Sequence, residues 1–305
     1  MSGVISVGPS GAGSVLAECL RDWRPGSVTH SRLVDPWSAK AFVGLVGAAS
    51  PPALGPGDPL PPMWHWFTLL EQPAQSELGA DGHPAYGPLL PPIPRRRRMF
   101  AGGRLRQDAP IPVGAELSSR SSVVGVSVKS GRSGEMAFVT VRHELAVDGM
   151  TVGTEEQDIV YRSEPESAAQ HAVTRPETDA REAAGEWRLE LMTDPVLLFR
   201  FSALTYNGHR IHYDRPYATQ VEGYPDLVVH GPLLALIALE IPRVHMPGRA
   251  VRAFGYRLVR PAFVPSRIVG VGRLGGSTLE VSVGAEDAEP SLTAEVGLSS
   301  EVKGQ

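Results

Sequence analysis

The stretch FSALTYNGHRIHYD, residues 201–214, places Asn207, His209, Arg210, His212 and Asp214 close together in a chain with nine histidines among 305 residues. Imidazole titrates near neutral pH and serves equally as base, acid or metal ligand. Asparagine can hold and orient water but cannot take a proton. Shortly after, VVHGPLLALIALEI sets His230 and Gly231 at the head of an apolar run, with Pro232 suited to a first helical turn. Earlier lies PRRRR, with arginines from Arg95 to Arg98. Two readings fit this inventory: a solvated loop with a charged face, or a pocket that transfers protons. His209, His212 and Asp214 are metal-ligating types, but no second cluster completes a coordination sphere, so no metal is expected.

Net charge is −4, which argues against binding nucleic acid through overall charge. Apolar residues make up 42% and charged residues 20%, a globular composition. No apolar run reaches the roughly 18 residues of a membrane span. The N-terminus lacks a basic start and long apolar stretch, and Cys19 is the single cysteine, so a reducing, cytoplasmic setting is expected. VGPSGAGSV has no Lys-Ser/Thr pair and makes no phosphate loop.

Residues 117–128, 135–147 and 151–162 are rich in β-branched residues and separated by KSGRSG and DGM, which predicts an antiparallel meander. Residues 250–259, 267–273, 278–283 and 292–298 repeat the pattern, and 231–241 predicts a helix buried nearly all round. The halves share Gly103-Arg104-Leu105 and Tyr256-Arg257-Leu258, 153 positions apart. The simplest architecture is α+β, a double hot-dog: two antiparallel sheets, each wrapped around a long buried helix. The expected division is a flexible tail at 1–27, a first domain at 28–162, a charged linker at 163–186 and a second domain at 187–305. Pro-rich residues 51–62 and 86–94 should be irregular.

The segment 201–214, with YATQVEGYPDLVVHGPLLALIAL after it, resembles the catalytic region of MaoC-like hot-dog hydratases and dehydratases. These include the R-specific enoyl-CoA hydratases and the type 2 3-hydroxyacyl-thioester dehydratases. The first half, in PPMWHWF, PRRRRMFAGGRLR and GRSGEMAFVTVRHE, is similar to two-hot-dog mesaconyl-CoA hydratases. The resemblance implies a hydro-lyase acting on an α,β-unsaturated acyl-CoA thioester, a branched dicarboxylic enoyl-CoA being the leading case. It assigns the base to His212. The partner five residues earlier is aspartate in the R-specific hydratases and Asn207 here, which shifts proton work to His212. Gly231 N–H would serve the developing oxyanion. Arg210, Tyr217 and His230 are carried as substrate-side residues, His230 with a supporting role, and Arg95 and Arg98 as contacts for coenzyme A phosphates. The first half, lacking an N-x-x-x-x-H counterpart, would be a degenerate copy. The chemistry needs no cofactor. The acyl-CoA is the expected partner, with no nucleic acid or membrane, and the resemblance leaves room for a homodimer of double hot-dogs. The rivals are a dehydratase working on an acyl-carrier-protein thioester and a non-catalytic acyl-CoA-binding hot-dog protein.

Overall fold

The computed structural model describes residues 14–48, 50–131, 134–163 and 185–300. Among them ten strands form one antiparallel sheet: β1 (Ser27–Leu33), β2 (Arg96–Gln107), β3 (Glu116–Gly131), β4 (Gly134–Val147), β5 (Met150–Ser163), β6 (Trp187–Thr193), β7 (Val251–Leu258), β8 (Ser266–Gly275), β9 (Thr278–Ala285) and β10 (Leu292–Leu298). Their order is β1-β3-β4-β5-β2-β7-β10-β9-β8-β6. The order within the first five strands is repeated in the second five, read outward from the β2–β7 seam. At that seam Gly103 pairs with Tyr256, the residue that the 153-position repeat also aligns with it. The duplicated phrase therefore lies on the internal pseudo-two-fold axis, and the halves close one sheet instead of two separate ones. This is the double hot-dog arrangement.

Four α-helices are described: α1 (Val15–Leu20), α2 (Pro36–Val46), α3 (Pro195–Leu204) and α4 (Gly231–His245). Helices α2 and α3 follow the edge strands β1 and β6 and open alike. Asp35 and Asp194 are N-caps accepting from Trp37 and Leu197 N–H, each with proline at the first turn. Helix α4 is buried from Leu233 to Pro242. It lies close on the sheet because β8 offers glycine beneath it: a Cβ at Gly270 would meet Ile237 and Ile241 at 3.3 Å, and one at Gly272 would meet Ile241 at 2.9 Å. None of the described helices is long and apolar enough to cross a membrane.

Two expectations need correction. Among the described residues the first half has no long buried helix. Between α2 and β2 the chain runs irregularly, with 3-10 turns at Trp64–Phe67 and Gln75–Glu77, because its prolines remove the amide donors a helix needs. Trp64 and Phe67 from this run join Phe42 and Phe201 in the core between halves. Within the expected tail 1–27, the described part is structured. Residues 1–13 lie outside the described residues, but α1 buries Leu16 and Leu20 against β4 residues Ala137, Val139 and Val141, and β1 starts at Ser27. Most of the expected linker, 164–184, lies outside the described residues.

Candidate active site

The segment after α3 leaves the helix through Tyr206, whose positive φ of 50° turns the chain back. Asn207 N–H then donates to Ser202 O at 2.8 Å, and its side-chain Oδ1 accepts from His209 N–H at 3.0 Å. Asn207 thus shapes the loop with its oxygen and keeps its amide NH₂ as a donor. A 3-10 turn at Arg210–His212 follows and brings His212 inward. Its Nδ1 lies 2.7 Å from Val228 O. A carbonyl only accepts, so Nδ1 carries the proton and Nε2 keeps a free lone pair. Burial lowers the His212 pKa to about 4 against the opposing pull of the Val228 carbonyl, with the nearby His83 adding to the fall. His212 is therefore a neutral base at physiological pH.

Behind His212 the His230 ring stacks at 3.7 Å and meets Ser202 Oγ at 2.9 Å. Its Nδ1 has no partner among the described residues. Burial, followed by the charge His212 would carry, holds it neutral. His230 sits behind the wall of the cleft, whereas Arg95, Arg98, Asn207, His209, Arg210, His212, Tyr217 and Gly231 line it. Gly231 heads α4, whose first amides lack intrahelical acceptors and carry the positive end of the helix dipole. A Cβ at Gly231 would lie 2.4 Å from Leu258 Cδ1, so a larger residue there would have to push the Leu258 side chain aside.

Arg210 is a strut. It ion-pairs with Asp214 at 2.7 Å, donates to Ala80 O at 2.9 Å, and lies 4.0 Å over the Tyr217 ring. Asp214 also accepts from Tyr217 N–H, so it fixes the loop and is not brought to His209 and His212 as a metal ligand. Tyr217 donates to Glu222 at 3.2 Å, and burial, then the Glu222 charge, pushes its pKa up to about 12. It stays a neutral donor.

Sequence reasoning missed the first half's contribution. The loop at 79–84 reaches the 206–214 loop of the second half: Arg210 N–H donates to Asp81 O at 2.9 Å, and the His83 ring lies 4.0 Å from that of His209. His209 in turn meets His212 edge-on at 5.4 Å. Asp81 accepts from His83 N–H at 3.0 Å and lies 3.1 Å from its Nδ1. Burial lowers the pKa of both His83 and His209, Asp81 opposes the shift at His83, and the Arg98 charge adds to it at both. Four imidazoles thus run in series, His83, His209, His212, His230, across both halves. Asp81, His83 and His209 could offer a cation three ligand atoms within 4.8 Å of one another. The Asp81–His83 hydrogen bonds and the cationic Arg98 nearby account for the group without one. The Asp-Gly-His triplet at 81–83 was the one available signal, a turn carrying two polar groups.

A family profile described as hydroxyacyl-thioester dehydratase type 2 matches residues 63–264, which span both the first-half loop and the 206–214 loop. The chain is 40% identical to a mesaconyl-C(4)-CoA hydratase of Chloroflexus aurantiacus, over 91% of this chain and 98% of that protein. Among solved structures, a MaoC-like dehydratase from Phytophthora capsici superposes with a TM-score of 0.66 at 12% identity, covering 91% of this chain and 97% of that one. A Mycobacterium tuberculosis protein with a double hot-dog fold superposes with a TM-score of 0.57 at 16% identity, covering 92% and 97%.

Proposed function

The chain belongs to the hydroxyacyl-thioester dehydratase type 2 family, and from that premise we propose that it is a hydro-lyase adding water reversibly to an α,β-unsaturated acyl-CoA, with a branched dicarboxylic enoyl-CoA such as mesaconyl-CoA as leading substrate. His212 supports this reading most strongly: a buried imidazole, neutral by desolvation, fixed in one tautomer by Val228 O. Its Nε2 takes a proton from water as the oxygen attacks the β-carbon. The π electrons move through the α-carbon to the thioester oxygen, where Gly231 N–H donates to the enolate. The enolate collapses as the α-carbon takes the proton from His212, so H and OH are added and His212 returns to its starting state. The low pKa makes the protonated imidazole a strong acid, which favours its delivery to carbon. Asn207 NH₂ orients the water. Dehydration is the same path reversed, as the family description implies.

Loss of enoyl absorbance on adding mesaconyl-CoA or crotonyl-CoA tests the activity. His212→Ala should lower kcat by on the order of 10²–10⁴-fold. Asn207→Ala should cost less, and Asn207→Asp should keep substantial turnover while altering the pH profile. Near-wild-type turnover by His212→Ala would place the base elsewhere. Turnover confined to acyl-carrier-protein thioesters would favour the assembly dehydratase, and binding with no turnover the non-catalytic reading.

A further inference from the structure

We propose that Arg98 receives a carboxylate carried by the acyl chain, and so makes this site select dicarboxylic over neutral enoyl thioesters. This rests on the hydration reading above and moves Arg98 from the coenzyme A phosphates to the other end of the substrate.

Most arginines beside the cleft already have partners, Arg95 and Arg273 among them. Arg96 donates to the carbonyls of Pro84, Ala85 and Pro91 and anchors the first-half segment next to His83. Arg97 pairs with Glu222 and lies 5.6 Å from the Tyr224 ring. Arg104 is held by Glu156 and Asp158, and Arg210 by Asp214. Arg98 stands two residues beyond Arg96 on β2, so it leaves the same face of the strand. It pairs in register with the buried Tyr161. Half-buried, it has no carboxylate at ion-pair distance among the described residues. Asp81, the carboxylate next to His83, is engaged by His83.

A cation taken partly out of water without a counter-ion is costly unless something arrives to pair with it. Arg98 lines the cleft that His209, His212 and Gly231 also line, and its charge acts on His83 and His209. Arg257 and Arg260 line the cleft too, but they flank Leu258, which packs on Gly231 at the thioester end. They leave the imidazole end to Arg98. In a fumaryl-type thioester the second carboxylate is attached to the β-carbon, the atom that receives water from His212. Its receptor must therefore stand beside the catalytic imidazoles, and guanidinium suits a carboxylate through paired N–H donors.

The test compares wild type with Arg98→Gln and Arg98→Lys. The ratio of kcat/KM for mesaconyl-CoA to that for crotonyl-CoA should fall about 10- to 100-fold in Arg98→Gln, the range for a lost charge-assisted pair, with partial recovery in Arg98→Lys. Equal losses on both substrates, or an unchanged ratio, would overturn the assignment. A second arm needs no turnover: titration calorimetry with succinyl-CoA and butyryl-CoA. Wild type should prefer succinyl-CoA by about 10-fold or more, and Arg98→Gln should erase the preference. Crotonyl-CoA hydration without that preference would sink the Arg98 role and leave the hydratase reading intact. An Arg98-dependent preference without any hydration would do the reverse.

Discussion

Replacing Gly82 by alanine should disable the site from the half of the molecule that holds no catalytic base. Gly82 has φ +86°, and a Cβ there would lie 1.9 Å from Gly208 O, with the reciprocal Cβ at Gly208 2.8 Å from Gly82 O. The backbones of the two halves touch, and no side chain fits between them. Ordinary contact begins at 3.4 Å, so the loops must part by about 1.5 Å, since backbone atoms cannot swing aside as a side chain can. That displacement falls on Asn207 and His209, which flank Gly208, on His212 four residues on, and on the Asp81 O acceptor that holds Arg210 N–H. A misplacement on the order of 1 Å can cost about 10²-fold in rate, and kcat/KM in Gly82→Ala should fall by about that much. The left-handed backbone adds about 1–2 kcal/mol of strain, so a stability control is needed. Gly149→Ala supplies it, because Gly149 has φ +77° and open space around its Cβ. Both variants should melt below wild type, and only Gly82→Ala should lose turnover steeply. Equal turnover in the two would show that the 79–84 loop does not set the catalytic geometry.

Two titrations give further expectations. Burial holds the pKa of His212 at about 4, and the base must be neutral to act, so kcat/KM should stay level from neutral pH to about pH 5 and fall only as pH approaches 4. A limb near 6.5, the ordinary value, in initial-rate profiles would contradict the desolvated environment. In the first-half core, Glu155 would be pushed up by burial, but the hydrogen bond with His65 at 2.6 Å, the charges of His65 and His143, and Gln157 outweigh it and hold its pKa at about 2 against 4.5. A depressed carboxylate stabilises the fold above pH 4.5, and this stability is lost as pH falls from 4.5 toward 2. The shift corresponds to about 3 kcal/mol. Urea unfolding against pH should show that loss in wild type and a flatter curve in Glu155→Gln, and coincident slopes would refute it.

The strands that were legible are those with long β-branched runs and clear turns: β3, β4 and β5, then β7 to β10. Helix α4 was legible because it is apolar on every side. The edge strands β1 and β6 were not. SVTHSRL and WRLELMT are short and half exposed, so their periodicity is weak. Helices α2 and α3 carried a readable start that the reading passes over, Asp-Pro twice, each aspartate an N-cap before a proline. At the site, Asn207, His212 and Gly231 share one half and one resemblance, and all three line the cleft. Asp81 and His83 could not be found that way. They lie far from His212 in sequence, and only the pairing of β2 with β7 brings their loop to it. Arg210 looks like a ligand contact by type, but a partner four residues on, Asp214, claims it.

The row of imidazoles fits the proposal that one histidine is the sole proton carrier. His83, His209, His212 and His230 are all pushed toward the neutral form by burial, and charge on His83, His212 or His230 raises the cost of a proton at His209, as charge on His212 does at His230. Arg98 adds positive potential at the His83 end. The empty site thus keeps His212 unprotonated and ready as a base, at the cost of low basicity. A carboxylate carried on the β-carbon of a bound substrate would bring a negative charge beside His212 and raise its basicity only once the double bond is in place, strengthening proton abstraction where it is productive. A neutral enoyl thioester brings no such charge. It would meet the weaker base, so discrimination between the two substrates would act on kcat as well as on KM.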